Sequence, residues 1–467
     1  MKRTRMPLYA ILKSDVINKI ASGELRRGAK LPSERELAAR LGVSRITVVG
    51  ALRELEAEGV VVKCHGRGSF VAKEAFAEDY ENIFTHTASG QETEITFGMF
   101  RPTPQYRWLV KTLANLFQLE NPKIKVTPVD VLPPPDMAAD AFLLRLAAGT
   151  VPTTAEFFMH ADYAAVDALE PLETMPGFPE LAAALHPKCV YETLDSGGAL
   201  HVHALATKLN SRVVLVNARL LREAGGDPDG GLWNWEVLAD WAARLGRLAG
   251  RHGLFVGLPE GWHNIIGLLP CLWGSGAAWP NSAEGFAAML GSDTAAAGLG
   301  ALSRLLAAGG RDAPANGLDL FAVGKVGLVL SGATWPLALL EQMSDQFEVK
   351  ALPIPNPGGG GPPPSVVGNF SVGIFKPAVK SELELEAAWQ WLRFLFRTKQ
   401  QFTLTTDLNF PALKNLPSQL ERSHPEAGAV FKAALDGGRP QFDFKDVRAA
   451  LNAFGPELRR CLLGGRP

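Results

Sequence analysis

Three groups of residues along the 467-residue chain carry types and spacings that could do chemistry. The first is "VSRITVVGAL" at 43–52, where a serine, an arginine and a threonine are interleaved with apolar side chains. A short helix with that mix can lie in a DNA groove, its charge on phosphates and its methyl-bearing side chains against bases. The second is a set of ten tryptophans, all beyond residue 100. Flat aromatics take the apolar C–H faces of sugars, while planar polar side chains take the hydroxyls. The third is His201 and His203, alternating on an extended run. They could share a metal ion, but the sequence supplies no further ligand, and an ordinary strand pair is the stronger reading. No nucleophile–base constellation stands out, so the chemistry on offer is binding.

The charge distribution separates the first group from the rest. Residues 1–73 hold 15 Lys and Arg against 7 Asp and Glu, while the remainder is acidic, for a net −1 overall. A basic head on an acidic body predicts that the head alone meets a polyanion. The basic start "MKRTRMPLYAILKSDVI" has no apolar run long enough for a signal peptide. No stretch approaches the roughly 20 apolar residues of a membrane span. Cys64, Cys189, Cys271 and Cys461 form no CxxC and fit reduced thiols of the cytoplasm.

The elements that would position the head residues follow from local signals. Leu8, Ile11, Leu12, Val16, Ile17 and Ile20 have helical spacing over 8–21, and "SGELRRGAKLP" (22–32) ends that helix. "SERE" (33–36) is a capping box, in which Ser33 caps a second helix and Glu36 reaches back to the backbone. Gly42 ends it, and Ser44 caps a third helix whose inner face is Val48, Ala51, Leu52 and Leu55. Its outer face is Ile46, Val49, Gly50 and Arg53, flanked by Arg45. Two short capped helices across a glycine turn predict a helix-turn-helix. "VVVKCHGRGSFVA" (60–72) then reads as a hairpin, a wing, with Lys63, His65 and Arg67 placing charge around a Gly66 tip. Ile46 and Val49 are suited to thymine methyl groups.

Residues 7–72 resemble the GntR family of winged helix-turn-helix regulators, through "PLY" (7–9), "SGELRRGAKLPSERELAARLGVSRITV" (22–48), "LEAEG" (55–59) and "GRGSFV" (66–71). The resemblance implies that Arg35 and Arg45 contact DNA and that Thr47 binds phosphate. The family usually has a further arginine where this chain has Val49.

"KEAFAEDYENIFTHTASGQETE" (73–94) reads as a linker. The body then alternates strands and helices, the pattern of α/β domains. Strands are expected at 95–100, 123–131 and 154–160, an extended crossing segment at 205–217, and further strands before Trp335 and at 366–375. Helices are expected at 105–119, 136–148 and 382–397, the last with Trp389 and Trp391 in the core. "PIPNPGGGGPPP" (353–364) lacks the lysine and hydroxyl of a phosphate loop and reads as an irregular connection. Asp162 and Asn369 follow strands, and strand ends are where open α/β sheets bind ligands. Trp262 and His263, in "PEGWHN", are candidates for a cleft rim, and Trp273 for a cleft wall or for the core.

Residues 94–460 resemble the family 1 extracellular solute-binding proteins. The motifs are "ENPKIKV" (120–126), "VLVNARLLREAG" (214–225), "LLPCLWGSGA" (268–277), "FAVGKVGLVLSGATWP" (321–336), "VVGNFSVGIFK" (366–376) and "EAAWQWLRFL" (386–395). Ala206 stands where the family usually has a proline. The resemblance implies two α/β lobes joined by crossing strands, with a sugar or oligosaccharide in the cleft. It also implies ligand contacts at Phe100, Arg101 and Trp335.

The expected fold is thus multidomain: a winged helix-turn-helix (1–73), a linker (74–93) and a two-lobed α/β, periplasmic-binding-protein-like domain (94–467). The expected function is a cytoplasmic, dimeric, ligand-responsive regulator whose partners are operator DNA and a carbohydrate effector, with no cofactor, metal or membrane. An enzyme with a DNA-binding head is the alternative from another class. A pyridoxal-dependent body would need a Schiff-base lysine in a suitable motif, which is not found. A transport receptor is the third reading, against which the head argues.

Overall fold

The computed structural model describes residues 28–41, 45–57, 61–64, 68–71, 93–100, 104–131, 140–158, 160–230, 233–256, 267–309, 317–332, 337, 347–357, 364–368, 371–405, 408–440 and 443–463. The expected helix at 8–21, the wing tip 65–67, Ser44 and nearly all of the linker lie outside these residues. So do Arg101, Trp262, His263, Trp335 and Asn369. The chain divides into two compact units, Met1–Glu92 with Pro102–Lys123, and Thr93–Arg101 with Ile124–Pro467.

In the first unit the capping box forms. The Ser33 backbone N–H donates to Glu36 Oε2 at 2.7 Å, and the Glu36 N–H donates to Ser33 Oγ at 3.3 Å. The helix Glu34–Leu41 follows, with Leu37 buried, and then the helix Arg45–Ala57, whose Val48, Leu52 and Leu55 are buried as their spacing predicts. Strands β1 (Val61–Cys64) and β2 (Gly68–Val71) pair antiparallel, Val61 opposite Val71 and Cys64 opposite Gly68, so the wing is present. The stretch before the capping box adds to its edge: Gly28 N–H donates to Val71 O at 2.8 Å and Leu31 N–H to Ser69 O at 2.9 Å. Gly28 has φ +82°, a conformation that costs a residue with a Cβ but not glycine. The helix Pro104–Glu120 also belongs to this unit, and its Val110, Leu113, Ala114 and Phe117 form one buried stripe at helical spacing.

The second unit contains two main sheets. The first has six strands in the order β4-β3-β5-β14-β7-β6. Here β3 is Thr93–Met99, β4 is Ile124–Asp130, β5 is Thr154–Phe157, β6 is Val190–Leu194, β7 is Leu200–Ala206 and β14 is Ser371–Ile374. The strands β4, β3 and β5 are parallel, while β14 runs antiparallel to both β5 and β7. The helix Glu382–Leu395 covers this sheet. Its Trp391, fully buried, meets the Phe97 ring edge-on at 5.4 Å, and Trp389 is buried with its Nε1 donating to Pro176 O at 2.8 Å. Both tryptophans are core, as their helix pattern predicts.

The chain leaves the first sheet at Ala206, passes through β8 (Lys208–Leu209) and enters the second sheet as β9 (Val213–Asn217). This is the crossing segment expected at 205–217. The second sheet has the order β10-β11-β9-β12, where β10 is His252–Phe255, β11 is Val326–Gly332 and β12 is Val349–Leu352. Its core includes Val214, Leu238, Leu254, Leu269, Phe286, Leu302 and Leu328. The packing there is tight enough to require glycine: a Cβ on Gly309 would stand 2.2 Å from the Ala242 carbonyl oxygen. The chain returns through β13 (Val366–Val367) to β14, and the helices Pro425–Gly437 and Val447–Leu462 follow β15 (Phe410–Pro411), with β16 (Arg439–Pro440) between them.

One strand expectation is corrected. Residues 366–375 are two strands, not one. The pair Val366–Val367 joins β16, and Ser371–Ile374 joins the six-stranded sheet. The chain changes partners between them, with Gly368 held to Asn210 by reciprocal backbone hydrogen bonds of 3.2 and 3.1 Å. The strand expected at 154–160 ends at Phe157, because His160 starts the short helix His160–Ala164.

Candidate functional site

On the first unit, Arg45 opens its helix with a side chain 73% exposed. Its Nη2 and Nε both bond Glu34 Oε2, at 2.9 and 3.1 Å. The other Glu34 oxygen takes Lys63 Nζ of β1 at 3.1 Å. One carboxylate thus ties the helix Arg45–Ala57 to the wing. Hydrogen bonds from Lys63, then from Arg45, hold the Glu34 carboxyl below its ordinary range. Arg35 and Arg53 are exposed, Val49 is half-buried, and Gly50 is exposed with open space around it. Ile46 and Thr47 lie on the same helix, their side chains outside the described residues. The residue that sequence reasoning missed is Glu34. Its signal was an acidic residue in the first turn, directly beside Arg35.

On the second unit, topology gathers the strand ends. Parallel β3 and β5 end near Met99 and Phe157, and Ser371 pairs with both Phe157 and Ala206. Phe100 and Phe158, just past this edge, meet edge-on at 5.1 Å, and the Phe100 N–H donates to the buried Glu156 at 3.2 Å. Both rings also pack against the core of the second sheet, so this edge faces the other lobe.

The next strand end is tied across the lobes. Asp443 accepts the backbone N–H groups of His160 at 2.7 Å and Ala161 at 3.2 Å. Its Oδ2 also lies 2.9 Å from the buried His160 Nδ1, without hydrogen-bond alignment. Asp162 accepts the Asp446 N–H at 2.7 Å. Phe444 and Val447, beside these aspartates, belong to the second core. Asp162, expected as a ligand contact from its strand-end position, bonds this segment. Nothing local in the sequence marks Asp443.

Trp273 is buried in the second core, 9% exposed, and stacks on Trp279 with ring centroids 5.0 Å apart and planes 10° from parallel. Its Nε1 is buried without a hydrogen-bond partner among the described residues. At the crossing segment the same is true of Asn210 Oδ1, Arg212 Nε and Ser371 Oγ. The histidine pair is accounted for structurally. His203 is buried with Nδ1 2.8 Å from Thr193 Oγ1, and His201 lies between Glu173 at 2.5 Å and Asp195 at 3.6 Å. Among the described residues no group of three or more His, Cys, Asp or Glu could hold a metal ion.

Residues 112–422 match the family of bacterial extracellular solute-binding proteins. The chain belongs to that family. Ahead of the solute-binding body, residues 8–71 match the bacterial regulatory proteins of the gntR family, so the head is a GntR-type DNA-binding region. The chain is 34% identical over 97 residues to the HTH-type transcriptional repressor NagR of Bacillus subtilis (strain 168), covering 21% of this chain and 40% of NagR. It is 45% identical over 67 residues to the histidine utilization repressor of Pseudomonas aeruginosa, covering 14% of this chain and 27% of that protein. The chain therefore spans less than half the length of the curated relatives it matches. The solute-binding body has the fold of the cyclic alpha-maltosyl-1,6-maltose binding protein from Arthrobacter globiformis. That likeness has a TM-score of 0.64 at 16% identity and covers 80% of this chain and 95% of the other.

Proposed function

We propose that this protein is a cytoplasmic transcription regulator that switches on a small molecule, with a carbohydrate as the effector. The head binds operator DNA, and a second copy of the chain supplies the other half-site contact, because single recognition helices rarely give enough affinity. The observation that carries the reading is the joining, in one chain, of a GntR-type head and a solute-binding body. The similarity of the head to named repressors supports DNA control, and the similarity of the body to a cyclic alpha-maltosyl-1,6-maltose binding protein supports a carbohydrate effector. The activity is binding and conformational change rather than catalysis. Arg35, Ser44, Arg45, Ile46, Thr47, Val49, Arg53, His65, Gly66 and Arg67 form the DNA face in this reading. Phe100, Arg101, Trp262, His263, Trp273, Trp335 and Asn369 line the cleft or its rim, and Asp162 works beside it through its bond to Asp446.

No helix among the described residues is long and apolar enough to cross a membrane. The test is operator selection from random duplex DNA with the full chain, alongside a thermal-shift screen of neutral and acidic mono- and disaccharides. Recovery of a two-fold symmetric site and stabilisation by a sugar are the expected results, since a specific ligand stabilises by mass action. Failure to enrich any sequence would overturn the regulator reading.

A further inference from the structure

The crossing segment carries a cation that no described residue neutralises. Arg212 lies between β8 and β9, where the chain passes from one lobe to the other. The residue is half-buried, and its Nε is out of contact with solvent and without a hydrogen-bond partner among the described residues. No ion pair to Arg212 forms among those residues either, and burial alone pushes its guanidinium down to about 10. An arginine held this way is costly, because desolvation is not offset by a counter-charge.

The backbone fixes where the side chain goes. Ser365 Oγ accepts the Arg212 N–H at 2.9 Å and donates to the Arg212 carbonyl at 3.0 Å. Ser211 Oγ donates to Phe431 O at 2.7 Å, so the Ser211 side faces the helix Pro425–Gly437. Successive side chains of an extended segment alternate. Asn210 and Arg212 therefore project together from the opposite face, away from that helix.

That face joins the edges of both sheets at which parallel strands end. Behind it, Ala206 pairs with Ser371 at the edge where β3 and β5 end. Ahead of it, Val213 pairs with Gly332, the last residue of β11, and Val214 with Leu352, the last of β12. These are the carboxyl ends of the parallel strands in each lobe, the usual place for a ligand in open α/β sheets. Asn210 Oδ1 and Ser371 Oγ, also without partners among the described residues, stand along this same junction.

We infer that Arg212 is the counter-ion of an acidic effector, a sugar bearing a carboxylate or phosphate, with Asn210 and Ser371 beside it for neighbouring hydroxyls. This rests on the carbohydrate reading above and narrows it. A neutral hydroxyl would satisfy a guanidinium N–H but leave the charge uncompensated. An oxyanion supplies both, with bidentate geometry that matches the guanidinium fork.

The test is calorimetry and thermal shift on the full chain with matched pairs: D-glucose, D-glucuronate and D-glucose 6-phosphate, then D-galactose and D-galacturonate, with maltose as a neutral disaccharide. The acidic member of a pair is expected to bind at least tenfold more tightly than its neutral partner. Arg212→Gln should erase that difference and Arg212→Lys should keep part of it. The uronate and phosphate arms tell the two anions apart. The wild-type comparison stands without the variants, so a poorly folded Arg212→Gln leaves the inference falsifiable. If maltose or another neutral sugar binds best and is indifferent to Arg212→Gln, the anion is wrong and the carbohydrate reading survives. If no sugar of either kind binds, both fail.

Discussion

Arg45 shows how a side chain can be both exposed and restrained. Its bonds to Glu34, shared with Lys63, hold two cations at a fixed separation on the face proposed to meet DNA. Arg45→Ala is expected to cost about 1–3 kcal/mol at the operator and to relax specificity at the contacted base. A gel-shift titration checks it, and equal affinity of mutant and wild type would contradict the assignment. Glu34→Gln should act in the opposite sense on non-specific binding. Two cations lose their neutralising partner, so affinity for random duplex should rise and its salt dependence steepen, by about 0.9 per additional phosphate neutralised. Specificity should fall, because Arg45 is no longer held. The Glu34 carboxyl lies below its usual range, so the tie is intact at neutral pH. Its stabilising contribution is present above the unfolded-state value and is lost only as pH falls through the depressed folded-state value.

Among the elements, those with local causes were legible in the sequence. The Ser33–Glu36 box, the buried Val48–Leu52–Leu55 stripe and the Trp389–Trp391 helix follow from residues within a few positions of each other. Ser33→Ala should destabilise the head by about 1 kcal/mol, read as a shifted denaturation midpoint with unchanged slope. What the sequence hid were contacts with no local signature. Residues 366–375 keep a strand-like pattern while changing partners, since alternation says nothing of which sheet a strand joins. The contacts from Asp443 to His160 and Ala161 span more than 280 residues, and Asp162 gave no hint of its bond to Asp446. Arg212 lies inside the extended crossing segment, and that no described residue neutralises it is visible only in three dimensions. Asp443→Asn removes the charge facing His160 and should loosen the tie between the lobes. A larger radius of gyration in solution scattering for the ligand-free variant would bear this out, and an unchanged profile would show that the tie does not hold the lobes.

At the scale of the whole molecule, the proposed regulation requires coupling between the solute-binding body and the GntR-type head. A ligand shifts DNA affinity only to the extent that it prefers one conformation that DNA also distinguishes. In a dimer the relevant difference is how well two recognition helices match the roughly 34–36 Å spacing of successive half-sites. Coupling of this kind is reciprocal, and typically amounts to about 1–3 kcal/mol, or roughly 5- to 150-fold in affinity. The most direct measurement is a closed thermodynamic cycle at one salt concentration: effector affinity with and without operator, and operator affinity with and without effector. Two ratios that agree with each other and differ from one are expected. Ratios of one in both directions would contradict the proposed regulation, and would mean that the body binds its ligand without instructing the head.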